Sequence, residues 1–174
     1  MIYLLAWLPF ILITIICGYL ANRLWRSASN PWLRFKRLGL LGFIWVLTAF
    51  CYTPTAYNFS GDIILHYIQW GPVKLNPVPF QQLDTEFWLN VLLTVPLGAL
   101  LGWNFPHWSW RQIILAGLLT GLCLESGQFI LDWLVHISRW VETDDVLTNW
   151  AGVLLGYTAY RLFRHVPGFK WLQN

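Results

Sequence analysis

The sequence predicts an all-α fold: a polytopic membrane bundle of five transmembrane helices. Its amino terminus is expected outside, its carboxyl terminus inside, and a polar pocket at the outer end. Three observations carry this. Of the 174 residues 57% are hydrophobic and only 11% charged, with thirteen Trp, whereas soluble domains carry about 25% charged residues. Five apolar runs approach the roughly 20 residues that cross a hydrocarbon core at 1.5 Å rise. The basic residues also fall on alternate links between those runs. The whole chain, 1–174, is read as one integral membrane domain.

The first run, 2–20, has no basic residue before it and no small-residue cleavage site after it. Asn22, Arg23 and Arg26 close it, so it reads as a retained helix rather than a leader. The second helix is placed at 38–57. An outer loop, 58–86, follows. Within it residues 62–70 are apolar at helical spacing with one polar face, which predicts a short helix lying in the interface. Pro77 and Pro79 then forbid a helix and fix an extended turn, which either caps a cavity or serves as a plain re-entrant turn. The sequon at Asn58 is given no weight, because such triplets arise by chance. The last three helices are placed at 87–103, 112–131 and 146–163, and Pro96 is expected to kink the first of these.

Orientation comes from charge. Arg23, Arg26, Arg34, Lys36, Arg37, Arg111, Arg161, Arg164 and Lys170, nine of the eleven basic residues, fall on one side of a five-span chain. The positive-inside rule makes that side cytoplasmic. The localisation expected is the cell membrane, multi-pass. The lipid bilayer is the expected partner, and ten of the tryptophans, Trp70 and Trp133 among them, sit near helix ends as interfacial anchors. Nucleic-acid binding is set aside, since the net charge of +3 comes from the cytoplasmic links. Cys17, Cys51 and Cys123 read as small apolar fillers without metal spacing or a disulfide framework.

Polar residues gather at helical intervals beside small ones. Gly117, Gly121, Glu125 and Gln128 form one stripe, Asp145, Asn149, Gly152 and Gly156 a second, and Asn90, Thr94 and Gly98 a third. Small residues four apart let helix backbones approach closely, so these stripes face inward. Glu125 should lie roughly 9 Å below the outer end of its helix, with Asn90 and Asn149 about one turn in. Asn76 and Arg139 belong to the same side. Ionisable groups at membrane depth cost roughly 2.5–3.5 kcal/mol each, so they are paired, face a cavity, or work. The expected ligand pocket comprises Asn76, Asn90, Glu125, Gln128, Arg139, Asp144, Asp145 and Asn149.

These residues carry a family resemblance. Glu125-x-x-Gln128, then Arg139-x-x-Glu142-x-Asp144-Asp145-x-x-x-Asn149-x-x-Gly152-x-x-x-Gly156, resembles the signature of the VanZ-like family of bacterial membrane proteins. Asn76-Pro77-Val78-Pro79-Phe80 and Asn90-Val-Leu-Leu-Thr-Val-Pro96-Leu97-Gly98 are similar to its loop and helix elements. The acidic residue after the arginine is Glu142 here, and Asn76 sits one residue nearer the prolines than in the commoner pattern. The resemblance implies a bacterial cell-envelope role. Its founding members are associated with low-level resistance to teicoplanin-type glycopeptide antibiotics. It supplies no reaction.

Three readings stay open. The pocket binds an anionic or amphiphilic envelope ligand, a lipid-linked glycan or a lipid head group, with Arg139 as its phosphate contact. Alternatively the chain is a membrane-embedded hydrolase or transferase, with Glu125 and Asp145 as candidate acid and base, or with acidic groups and Asn149 holding a divalent ion. Against chemistry, the cluster has no histidine at its centre (His136 lies in the link), no serine or cysteine beside a base, and no metal spacing. The third reading is structural: Arg139 pairs with Glu125 or Asp145, and the asparagines bond across helices. One arginine among several carboxylates leaves excess negative charge, which favours the first reading. No metal or cofactor is predicted.

Overall fold

The computed structural model describes residues 2–27, 30–54, 67–81, 83–166 and 168. Six helices and three short strands occur among them: α1 (Ile2–Ala6), α2 (Leu8–Ser27), α3 (Pro31–Tyr52), β1 (Ile68–Trp70), β2 (Val73–Asn76), α4 (Thr85–Asn104), α5 (Trp110–Val135), β3 (Trp140–Glu142) and α6 (Thr143–Phe163). Four helical stretches, Leu4–Ser27, Pro31–Tyr52, Thr85–Asn104 and Trp110–Val135, are long and apolar enough to cross a membrane. Large side chains such as Ile15, Leu92, Leu134 and Leu162 stand exposed along these helices and α6. So much apolar surface is what lipid, not water, would cover.

Local chemistry explains where the helices begin and end. Asn30 caps α3 by accepting from the Trp32 amide at 2.8 Å, with Pro31 at the first helical position, where a missing N–H is harmless. The helix therefore starts seven residues before the expected 38. Of its early charged residues, Lys36 lies buried with its Nζ 5.7 Å from the Trp103 ring centre, a cation–π contact that offsets part of the burial cost. The helix also stops before the expected 57. Thr53 is forced extended (φ −91°, ψ 147°) by the proline after it. Asp84 caps α4 through the Phe87 amide. Ser109 and Gln112 form a capping box on α5, satisfying two otherwise orphaned donors. α5 ends at His136, in the left-handed region (φ 54°) with its N–H on the Asp132 carbonyl. α4 runs unbroken through Pro96, which faces outward.

The all-α expectation needs one correction, because β1, β2 and β3 form a small sheet. β1 and β2 make a hairpin across Gly71 (φ 59°), and β2 pairs in parallel with β3, Asn76 opposite Glu142. Ile68–Trp70 is thus strand where an interfacial helix was expected at 62–70. Residues 62–66 lie outside the described residues, as does Asn58. The hairpin needs Ile68–Trp70 extended to pair with Val73–Leu75, and that pairing outweighs a weak local helical pattern. Trp70 packs edge-on to Phe129 and Trp133 and fastens the hairpin to α5.

α6 lies between α4 and α5, and the glycines are where they meet. A methyl on Gly98 would collide with the Val153 carbonyl, one on Gly152 with Thr94 and the Val91 carbonyl, and one on Gly156 with the Val95 carbonyl. Gly117 and Gly121 receive Trp150 and Val146 of α6 in the same way. An apolar core of Leu47, Leu97, Trp103, Ile113, Val153, Tyr157 and Tyr160 fills one half of this bundle. α2 packs on α3 through Phe10 and Trp45 and a hydrogen bond from Trp45 Nε1 to Thr14, and has no buried residue of its own.

Candidate functional site

The other half of the bundle is polar. Asn76, Thr94, Glu125, Gln128, Asp132, Asp144, Thr148 and Asn149 are all buried. Several elements meet there. Asn76, at the end of β2, donates to Glu142 Oε2 at 2.9 Å and accepts from Gln81 Nε2 at 2.7 Å. The two prolines after it turn the chain so that Phe80, at φ 60°, aims its N–H at both oxygens of Asp144 (2.8 and 3.0 Å). Thr143 donates to the Pro77 carbonyl. The loop is therefore clamped to the first turn of α6, where Asp144 and Asp145 also complement the helix dipole.

Deeper in, Glu125 on α5 is 5% exposed and accepts the Glu142 N–H at 3.1 Å. The Asn90 amide of α4 donates to Asp145 Oδ1. Thr94 donates to the Asn149 carbonyl at 2.9 Å. The Glu125 and Asp145 carboxylates lie within electrostatic range of each other and of Arg139. Hydrogen bonds or charge thus link Asn76, Asn90, Glu125, Arg139, Asp144 and Asp145 across β2, α4, α5, α6 and the α5–β3 link, while Asn149 joins through its backbone carbonyl.

Arg139 is placed by its own link. Asp132 accepts the Ser138 N–H at 2.6 Å, and His136 and Ser138 both take positive φ, a strain of order 1–3 kcal/mol each that surrounding contacts must hold. The guanidinium donates through Nη2 to the Phe50 carbonyl at 2.7 Å and more weakly to Thr53 O at 3.4 Å. Phe50 lies in the last turn of α3 and Thr53 is its C-cap, and carbonyls at a helix C-terminus attract cations. Burial lowers the Arg139 pKa, while Cys51 and the carboxylates of Glu86, Asp145 and Glu125 act the other way. Burial likewise raises the Glu142 carboxyl. The Asn76 amide opposes that shift, and Glu86, Asp144 and Asp84 reinforce it.

Two buried acceptors stand out. Gln128 Oε1 and Asn149 Oδ1 receive no hydrogen bond among the described residues, although their residues are 7% and 3% exposed. Buried polar atoms are nearly always satisfied, and leaving one unmet costs about 1–3 kcal/mol. Among the described residues no three His, Cys, Asp or Glu side chains are arranged to hold a metal ion. His136 is exposed and serves as the α5 cap.

Sequence reasoning missed Asp132, Gln81 and the α3 carbonyls as partners. Asp132 was findable, since it lies four residues beyond Gln128 on the same stripe. The carbonyls were not, because backbone atoms leave no trace in residue identity.

Bundle and buried polar end together define a multi-pass helical membrane protein whose polar end is assembled from distant segments. The chain matches the VanZ/LLP1 family over residues 1–164 and belongs to it. Comparison with the curated proteins and with the solved structures found no match.

Proposed function

We propose that this protein crosses the bacterial plasma membrane five times, with its amino terminus outside, and that its polar end is an outward pocket for an envelope ligand. α6 is the fifth span. Its 21 residues cover about 31 Å at helical rise, and its polar groups are shielded by α4 and α5. The ligand is a lipid-linked glycan or a lipid head group, bound without chemistry. One observation carries this reading: among the described residues, carboxyl groups from α5, β3 and α6 share a single nearby arginine, whose Nη2 is engaged by α3. A purely structural cluster has no reason to gather more carboxyl groups than cations.

The family supports an effect on glycopeptide susceptibility. Expression in a susceptible Gram-positive host should change tolerance to a lipoglycopeptide. Asp145→Asn or Glu125→Gln should abolish the change while the protein stays in the membrane. No change in several hosts would leave the cluster as a structural element.

The proximity of Glu125 and Asp145 favours one other reading, an acid and base acting on a lipid-linked substrate. Product formed from lipid-linked precursors by wild type, and lost in Asp145→Asn, would establish it in place of binding.

A further inference from the structure

We propose that the loop before α4 is seated in the lipid of the outer leaflet, with Val78, Phe80 and Leu83 as its inserted side chains. This goes beyond the ligand reading: which leaflet the loop enters follows from the orientation proposed above, while the insertion itself does not. The loop is built the opposite way from one that meets water. Residues 77–83 carry no charge, and Val78, Phe80 and Leu83 are 47%, 60% and 62% exposed. Polar groups of the same stretch turn onto the protein. The Phe80 N–H is held by both oxygens of Asp144, Thr143 donates to the Pro77 carbonyl, and Gln81 donates to Asn76. Pro77 and Pro79 have no N–H to satisfy. Backbone groups met from within, beneath apolar side chains, suit a setting poor in water.

Two further features point to lipid as the occupant of this surface. Phe80 sits in the left-handed region (φ 60°), which a bulky residue rarely adopts. The buried Asp144 carboxylate holds its backbone there while the ring stays exposed. The apolar surface is also continuous with a face of α4. The Phe80 ring centre lies 6.3 Å from that of Phe87, which lies 5.3 Å from that of Trp88. Trp88 and Leu92 are both exposed and, four residues apart, share one helical face. In a spanning helix that face meets lipid, and aromatic rings at its end settle at the headgroup level. With no basic residue in the loop, its attachment is apolar and gains nothing from anionic head groups.

The test uses the full chain in phosphatidylcholine nanodiscs, in a background lacking Cys17, Cys51 and Cys123. A nitroxide is attached to a single cysteine introduced at Val78, Leu83, Leu92 or Gln69, all exposed positions. Spin relaxation reads collisions with oxygen, which concentrates in lipid, and with a soluble nickel chelate, which stays in water. The oxygen-to-nickel ratio at 78 and 83 should exceed that at 69 severalfold and approach that at 92, with or without phosphatidylglycerol. Phe80→Asn removes the ring but places a residue that tolerates positive φ, so the clamp to Asp144 survives. It should lower the ratio at 78 severalfold, and Leu83→Asn read at 78 carries the test where Phe80→Asn does not fold. A ratio at 78 and 83 as low as at 69 overturns the proposal, as does an unchanged ratio in the folded Asn variant. A ratio that rises only with phosphatidylglycerol would make the contact one of charge and overturn it too. Labels at 78 and 83 shielded from both reagents would put a second copy of the chain on the loop in place of lipid. The ligand reading stands or falls separately, on tolerance in the host.

Discussion

Arg139 shows how one residue can answer to several partners. Its Nη2 bonds to α3 carbonyls, while Glu125, Asp145 and Glu86 surround it electrostatically. Removing it leaves buried carboxylates without their cation and the end of α3 without a donor. Arg139→Ala should therefore destabilise the protein by about 3–5 kcal/mol, as breaking a buried pair does. Adding Glu125→Gln should recover part of that loss, since neighbouring sites do not add independently. Denaturation in detergent across the double-mutant cycle measures both. Full additivity would mean that Arg139 acts on α3 alone. Asp144 makes a different point. It was expected in the ligand pocket, and its two oxygens accept the Phe80 N–H, so its visible work is to hold the loop.

At the scale of elements, the decisive contacts are glycine to backbone. α4 and α6 approach so closely that Gly98, Gly152 and Gly156 each face a carbonyl of the partner helix. Backbone cannot move aside as a flexible side chain does, so Gly156→Val should cost at least about 1–3 kcal/mol and displace Asn149 from Thr94. Gly18→Val and Gly39→Val should be close to neutral, because nothing lies within 4 Å of the added Cβ. Thermal melting of the three variants checks this. Equal tolerance would mean that α4 and α6 are not held together at these glycines. The sheet works at the same scale. Pairing of β2 with β3 puts Asn76 against Glu142 and ties the loop to the start of α6.

For the whole molecule, the prediction is topology. Cysteine introduced at Gln69 in a background lacking Cys17, Cys51 and Cys123 should react with an impermeant maleimide on intact cells, and cysteine at Ser27 should not. Both residues are exposed, so accessibility within the protein does not decide the result. The reverse pattern would turn the polar end toward the cytoplasm and remove the outward pocket with it.

The sequence alone determined the membrane bundle, because apolar length and charge segregation are properties of composition along the chain. It also determined which faces turn inward, because stripes such as Glu125 with Gln128 and Asp145 with Asn149 need only helical periodicity. Asn30-Pro31 and Thr53-Pro54 marked the ends of α3 just as plainly, but the charges at Arg34, Lys36 and Arg37 masked the first signal. Tertiary structure decided the rest. The parallel pairing of Asn76 with Glu142 joins residues 66 apart, and no local pattern specifies a partner at that distance. The donation of Arg139 to Phe50 O is set by where two helices end in space. Whether a buried amide oxygen finds a donor, as those of Gln128 and Asn149 do not among the described residues, depends on every neighbouring side chain at once, which only the folded chain brings together.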